Sequence, residues 1–266
     1  MDVEEYLSYL ESYTKDGKLY TNREEGKARK LSSLKSFYDY YFKKNLIRTN
    51  PPRQVDVPKI KNKNIIRLDP NEIAQLLDEA ESGEKLSGRQ LASHEKTKVR
   101  DVAILTLLLG TGIRVSECVG LNLEDVDFNN GAIRIIRKGG NEALIYFGDE
   151  VSQALEAYMN GPRKTAEPAA GHEEALFISL NKTRITTRSV ERLVKKYSRL
   201  VTTVKKITPH KLRSTFGTAL YQETGDIYLV ADTLGHKDVN TTKKHYAAID
   251  EHRRRMAANV VKLRES

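Results

Sequence analysis

The chain has 266 residues, of which 39% are hydrophobic and 30% charged, with a formal net charge of +9. That length holds one large domain, or a small one and a larger one, and the single cysteine excludes a disulfide framework and a multi-cysteine zinc site. No apolar run reaches the length of a membrane span, and the acidic, amphipathic start MDVEEYLSYL is not a secretory signal, so a cytoplasmic protein is expected, with its basic excess directed at a polyanionic partner.

Val3 to Tyr13 predicts a helix with Leu7 and Leu10 at helical spacing. Thr14 to Thr21 reads as a polar turn around Asp16-Gly17. A second helix, about Glu24 to Lys44, places Leu31, Leu34, Tyr38 and Phe42 on its inner face. Lys27, Arg29, Lys30 and Lys35 on this helix are candidates for contact with that polyanion, and the tyrosines of this end read as packing residues with wet hydroxyls. Asn50-Pro51-Pro52 ends the helical region, because a residue before proline avoids the helical well. The proline- and lysine-bearing stretch 50–64 reads as an interdomain linker, leaving 1–49 as a small helical part and 65–266 as the main domain.

Asp69-Pro70-Asn71-Glu72 is a capping signature, followed by an apolar face of Ile73, Leu76 and Leu77. Ser82 to Lys96 reads as a polar loop, and Val99 to Leu109 as a buried helix ending at Gly110. Thr111-Gly112-Ile113-Arg114 comes next, and Val115 to Val119 restarts a helix with Cys118 as a small core residue. Arg114 lies between a buried helix and a second apolar turn, so it needs a partner. A phosphate is one, and Glu117, three residues on, is placed to orient the guanidinium.

Ala132 to Arg137 and Ala143 to Phe147 are β-rich runs around Lys138-Gly139-Gly140-Asn141, which is a hairpin signal. It puts Lys138 at the tip of a ribbon, where an ammonium can reach into a groove of a polyanionic partner. Asp149 should cap a helix that stops at Gly161-Pro162, and Ala175 to Ser179 should form a short strand. Thr187 to Val201 predicts a basic helix, with Arg188, Arg192, Lys195, Lys196 and Arg199 against one acid, Glu191, and is expected to contact the phosphate backbone.

Thr208 and Pro209 fit the N-cap and first position of a helix. His210 and Arg213 then share one helix face, behind an N-terminus that favours an anion. His236 follows Gly235, a residue suited to ending a helix, and Tyr246 comes about one short helix later. Tyr221 and Tyr228 lie in apolar helical patterns and read as core, while His94, His172 and His252 lie in polar surroundings and receive no role. Asp250 should cap a last helix, Glu251 to Lys262, with Met256, Val260 and Leu263 as a narrow apolar edge. No glycine-rich nucleotide loop and no metal-ligand spacing is visible. The set of proton carriers, anion binders and one hydroxyl nucleophile matches what phosphoryl transfer without a metal requires.

These residues resemble the tyrosine recombinases, the phage-integrase family with its Xer-like members. TGIRVSE resembles the first arginine box, HKLR the His-x-x-Arg box, LGH the second histidine position, and the Tyr246 segment the nucleophile region. The likeness runs from about Ile65 to Ala248 and is weaker before it. It implies a mainly α protein with a small antiparallel β-sheet (α+β), made of a helical core-binding part and a catalytic domain that close on duplex DNA. The helical part is short of the family pattern by its first helix, as in a truncated chain or a reduced N-terminal domain. The stretch from His236 to Tyr246 is one residue longer than the commonest pattern.

The implied activity is site-specific strand exchange by transesterification, with Tyr246 as nucleophile and a 3′-phosphotyrosyl intermediate. Arg114 and Arg213 would hold the non-bridging oxygens, His210 would act as base, His236 would donate to the phosphate, and Lys138 would protonate the leaving 5′-oxygen. No cofactor and no metal is expected. The partners would be a double-stranded target site and a synaptic tetramer of the chain itself, with the last helix passing between protomers. Two other readings use the same scaffold: a type IB topoisomerase-like nicking-closing enzyme, and a catalytically silent DNA-binding regulator. Every position of the active set is filled, which weighs against the silent form.

Overall fold

A computed structural model describes residues 2–59, 66–137, 139–236 and 239. The chain divides into two compact units, Met1–Lys63 and Asn64–Ser266.

The first unit begins with α1 (Val3–Tyr9), started by a capping box between Asp2 and Glu5. It stops earlier than its apolar spacing suggested. The next residues form a hairpin, β1 (Ser12–Lys15) and β2 (Lys18–Thr21), where a polar turn was expected. Asp16 and Gly17 both take positive φ, the two-residue turn whose twist suits antiparallel strands. Tyr13 and Tyr20 face each other across the pair with ring centroids 5.4 Å apart. Cross-strand aromatics supplied the pairing that a four-residue strand lacks by itself.

Helix α2 (Glu24–Lys43) follows, burying Lys27, Ala28 and Leu31. Its expected inner face fails at the far end, where Phe42 is exposed. Lys27 is not a free cation either: its Nζ lies 2.7 Å from Glu11 and 2.8 Å from Glu24. Pro51 and Pro52 start a short helix, α3 (Pro51–Gln54), rather than only ending one, because a first-turn proline loses no helical hydrogen bond.

In the second unit, α4 (Pro70–Ser82) starts with the expected capping box of Asp69 and Glu72 and ends at Gly83 in the left-handed region. Helix α5 (Arg89–Thr111) begins well before the predicted Val99, so most of the expected loop is helix. Most polar residues there are exposed, and His94 and Thr97 turn inward to tie this end of the helix to the domain. His94 is fully buried rather than idle in polar surroundings, with Nδ1 3.0 Å from the Tyr197 hydroxyl. That hydroxyl donates to Asp101 at 3.0 Å and accepts from Lys196 at 2.8 Å. Its one proton being committed to Asp101, His94 must donate through Nδ1, and burial holds the ring below the ordinary imidazole value.

The apolar run Ala103, Ile104, Leu105, Leu107 and Leu108 is the centre of the core. Around it come α6 (Val115–Gly120), a three-stranded antiparallel sheet and four more helices. The sheet runs β3 (Val126–Asp127), β4 (Ala132–Ile136), β5 (Glu142–Tyr146), with Ile133 paired to Ile145 and Arg134 to Leu144. Ile133 and Ile135 point into the core. Helix α7 (Asp149–Tyr158) has Gly148 at its N-cap, so Asp149 lies inside the first turn instead of capping it. The expected strand at Ala175–Ser179 is reduced to isolated bridges, Asn122 with Ala175 and Ile178 with Arg184. Helices α8 (Thr187–Val201), α9 (Pro209–Thr224) and α10 (Ile227–Leu234) complete the described part. The result is mainly helical with small antiparallel sheets. Among the described residues no helix is long and apolar enough to cross a membrane.

Candidate active site

Three chain segments meet around the C-terminal end of α10. The first is the turn between α5 and α6. Gly112 ends α5 at φ +63, and a Cβ there would come within 2.3 Å of Phe216 and 3.0 Å of Leu234. Only glycine lets this turn lie against α9 and α10 in that conformation. Arg114 is the N-cap of α6, and Glu117 holds it twice: Oε2 accepts from the Arg114 backbone N–H at 2.7 Å, and Oε1 from Nη1 at 2.7 Å. The Glu117 side chain is nearly sealed from solvent, whereas that of Arg114 remains 37% exposed. Glu117 therefore fixes the guanidinium and leaves it open on the outer side.

The second segment is α9. Thr208 and Pro209 stand at its N-terminus as predicted, though the threonine side chain makes no cap bond. His210 is exposed and Arg213 is buried. Arg213 donates from Nη1 to Gly112 O at 2.6 Å and from Nη2 to Leu234 O. It thus joins the ends of α5 and α10. His210 titrates below the ordinary imidazole value: desolvation of the ring is the largest cause, and the positive fields of Lys211, Arg213 and Arg114 add to it.

The third segment is the end of α10. Gly235 turns left-handed at φ +60, and the His236 N–H donates to Ala231 O at 2.8 Å. Arg114 Nη2 donates to Gly235 O at 3.2 Å. Arg114 and Arg213 thus both anchor on consecutive carbonyls at the negative end of one helix. His210, Arg213 and Arg114 lie close enough for the two guanidiniums to act on the imidazole, and the His236 backbone follows directly on the carbonyl that holds Arg114.

Lys138, Tyr246 and the last helix (251–262) lie outside the described residues. Of the tyrosines set aside, Tyr221 is buried as expected, but Tyr228 is 70% exposed. It occupies the first turn of α10, where Asp226 caps the helix and the apolar face belongs to Val230, Ala231 and Leu234. Cys118 is buried, and desolvation pushes its thiol up to about 12, which makes it an inert core residue.

The basic helix α8 is less uniform than its sequence. Arg188, Arg192, Lys195 and Arg199 are exposed, while Lys196 turns inward to Tyr197 and Asp101. The loop from α8 to α9 adds Lys206 beside Lys195 and Arg199, lining a groove of about 870 Å³. Arg137 went unnoticed in the sequence, although it adjoins Lys138. It packs on Gly235, a partner nearly one hundred residues away that no local pattern shows. Among the described residues no group of His, Cys, Asp and Glu could hold a metal ion.

The model of the phage integrase family matches residues 66–253. The tyrosine recombinase XerC of Thermodesulfovibrio yellowstonii is 37% identical over 218 residues, covering 81% of this chain and 69% of its own. The tyrosine recombinase XerD of Oceanobacillus iheyensis is 29% identical over 259 residues, covering 91% and 83%. Among solved structures, the XerH site-specific recombinase in a post-cleavage complex with a palindromic difH substrate superposes with a TM-score of 0.73 at 21% identity, over 98% of this chain and 72% of that one. The Tn1549 transposon integrase bound to transposon right end DNA has a TM-score of 0.65 at 26% identity, over 89% and 80%.

Proposed function

The chain belongs to the phage integrase family, and from that premise we propose how its residues divide the work of a Xer-like tyrosine recombinase in site-specific DNA recombination. The Tyr246 hydroxyl attacks a backbone phosphorus, forming a 3′-phosphotyrosyl bond. The bond to the 5′-oxygen breaks, and that oxygen leaves as a hydroxyl with a proton from Lys138. His210, held neutral by its surroundings, accepts the tyrosine proton. Arg114 and Arg213 bind the two non-bridging oxygens and stabilise the charge of the pentacoordinate state, and His236 donates to the same group. A 5′-hydroxyl from the partner duplex then reverses the chemistry. One phosphodiester is exchanged for another, so no nucleotide hydrolysis is needed.

The observation that carries this reading is the approach of Arg114, Arg213 and His210 to one another, with both guanidiniums anchored on the carbonyls just before His236, from three separated segments. Charge of this density beside a base is suited to a single phosphate. The first unit and the linker fit a core-binding domain joined to a catalytic one, with double-stranded DNA as partner. A synaptic tetramer, with the last helix exchanged between protomers, and action in the cytoplasm belong to the same reading. The relatives' identity over most of the chain weighs for a recombinase against a topoisomerase-like enzyme or a silent regulator.

The test is covalent capture on a duplex nicked next to the cleavage point. The wild-type protein should accumulate a protein–DNA adduct, and Tyr246→Phe should bind the same duplex without any adduct. An adduct that survives in Tyr246→Phe would move the nucleophile elsewhere, with the exposed Tyr228 as the first rival.

A further inference from the structure

Arg137 follows β4 directly and precedes Lys138. Its backbone N–H donates to Asn141 O at 2.8 Å, closing the turn between β4 and β5. Its side chain leaves the sheet altogether. Nη2 donates to Thr233 O at 3.1 Å, and both Nη atoms lie 3.5 Å from Asp232 O. The guanidinium lies against Gly235, where a Cβ would stand 2.4 Å from Nη1 and 2.5 Å from Cζ. Gly235 is required by its left-handed φ, and a side chain there would also push the arginine off its seat.

Three guanidiniums therefore share the C-terminal end of α10: Arg137 on Asp232 O and Thr233 O, Arg213 on Leu234 O, and Arg114 on Gly235 O. Two of them belong to the phosphate site already proposed. The third has no place in that chemistry. Its Nε is buried without a hydrogen-bond partner among the described residues, a cost that a purely decorative surface arginine would avoid by swinging into water. What the contact achieves is a bracket between two elements that otherwise reach the site separately: the turn carrying Lys138 and the helix end preceding His236.

We propose that Arg137 is a positioning residue, tying the β4–β5 turn to the end of α10 so that Lys138 is held at the leaving oxygen of a phosphate bound by Arg114 and Arg213. The inference rests on the proposed roles of Lys138 and Tyr246. A hairpin turn with two consecutive glycines, Gly139 at φ +102 and Gly140 at φ +83, has little stiffness of its own. An anchor one residue before the lysine supplies it. Removing the anchor leaves the ammonium in the protein but spreads it over many positions, and proton donation falls with the fraction correctly placed.

The experiment is single-turnover cleavage of the nicked duplex by the full chain, with Arg137→Ala, Arg137→Lys and Arg137→Gln. Each variant is assayed on the ordinary substrate and on one with a bridging 5′-sulfur at the cleavage point. Thiolate leaves without a proton, so a defect acting through Lys138 disappears on that substrate. Arg137→Ala should bind DNA within about two-fold of wild type and cleave the ordinary substrate at least ten-fold more slowly, a partial loss of the roughly 10²–10⁴-fold that a general acid contributes. On the 5′-thio substrate it should come within about three-fold of wild type. Arg137→Lys and Arg137→Gln should fall between, since neither spans both carbonyls. An equal defect on both substrates, or wild-type cleavage of the ordinary one, would overturn the proposal. If Arg137→Ala does not fold, the lysine and glutamine variants carry the same comparison. Tyr246→Phe on the ordinary duplex separates the two levels: a persisting adduct sinks the reading of the site, whereas a lost adduct beside an unaffected Arg137→Ala sinks this inference alone.

Discussion

Arg213 holds the ends of two helices at once, through Gly112 O and Leu234 O, and in the proposed mechanism it also binds the phosphate. Lysine keeps the charge but cannot fork to two carbonyls. Arg213→Lys should therefore lose twice over: cleavage by roughly 10²–10³-fold, the scale of removing one preorganised donor from a transition state, and about 2 kcal/mol of stability from the carbonyls left short of a donor. Single-turnover capture and denaturant unfolding measure the two losses, and a variant that loses cleavage without stability would mean that the fork is not structural. At His210 the sign of the shift decides the pH response. Its folded value lies below the ordinary ~6.5, so the ring is neutral at neutral pH and becomes protonated, and useless as a base, only as pH falls through that lowered value. The rate constant for free enzyme and DNA should thus rise with pH through a limb below ~6.5. A bound phosphate offsets the nearby cations and moves the limb of the bound complex upward. His210→Gln should flatten this limb. A limb unchanged in that variant would assign the base elsewhere.

At the scale of elements, α8 shows why a count of cations misleads. Its four exposed cations and the inward Lys196 are one helix apart in role and adjacent in sequence. Neutralising Arg188, Arg192, Lys195 or Arg199 should weaken DNA binding and lower the slope of log K against log salt by roughly 0.9 for each true phosphate contact. Folding should be almost unchanged. Lys196→Ala should do the reverse, keeping the salt slope and lowering the unfolding midpoint, because it removes a donor from the buried Asp101–Tyr197–His94 network. Should Lys196→Ala change the salt slope as Lys195→Ala does, the helix would be facing DNA from its other side. The aromatics of α2 make a related point: Phe37 and Tyr40 are each 58% exposed, so that half of the helix is not a core-facing surface within its own unit.

At the scale of the whole molecule, the two units are unequal. Among its described residues, the first unit buries Leu10, Ala28, Leu31 and little else that is apolar. A unit of about 60 residues with so small a core is marginal. The second has a continuous core from Leu68 to Leu212. Calorimetry of the full chain should show two transitions, the smaller one first. DNA should raise the lower one as ligand stabilises the folded form. A single transition that DNA shifts as one would show the two units to be energetically coupled.

Local chemistry settled much of this protein before any coordinates. The capping box at Asp69, the proline at the start of α9, the left-handed glycine after α10 and the hairpin pairing of β4 with β5 are each written in a few neighbouring residues, and short-range sterics and hydrogen bonds suffice to form them. The candidate set Arg114, His210, Arg213 and His236 came from boxes in a fixed order, and the fold sets Arg114, Arg213 and His210 close together. What local pattern could not hold was each side chain's long-range partner. It could not show that His94 is buried, that Lys27 and Lys196 are paired, or that Tyr228 faces solvent. Nor could it show Arg137 across the end of α10. A charged residue reads the same in sequence whether it meets water, DNA or a carbonyl one hundred residues away. Only packing decides among them, since burial makes a partner obligatory and the fold determines which one is within reach.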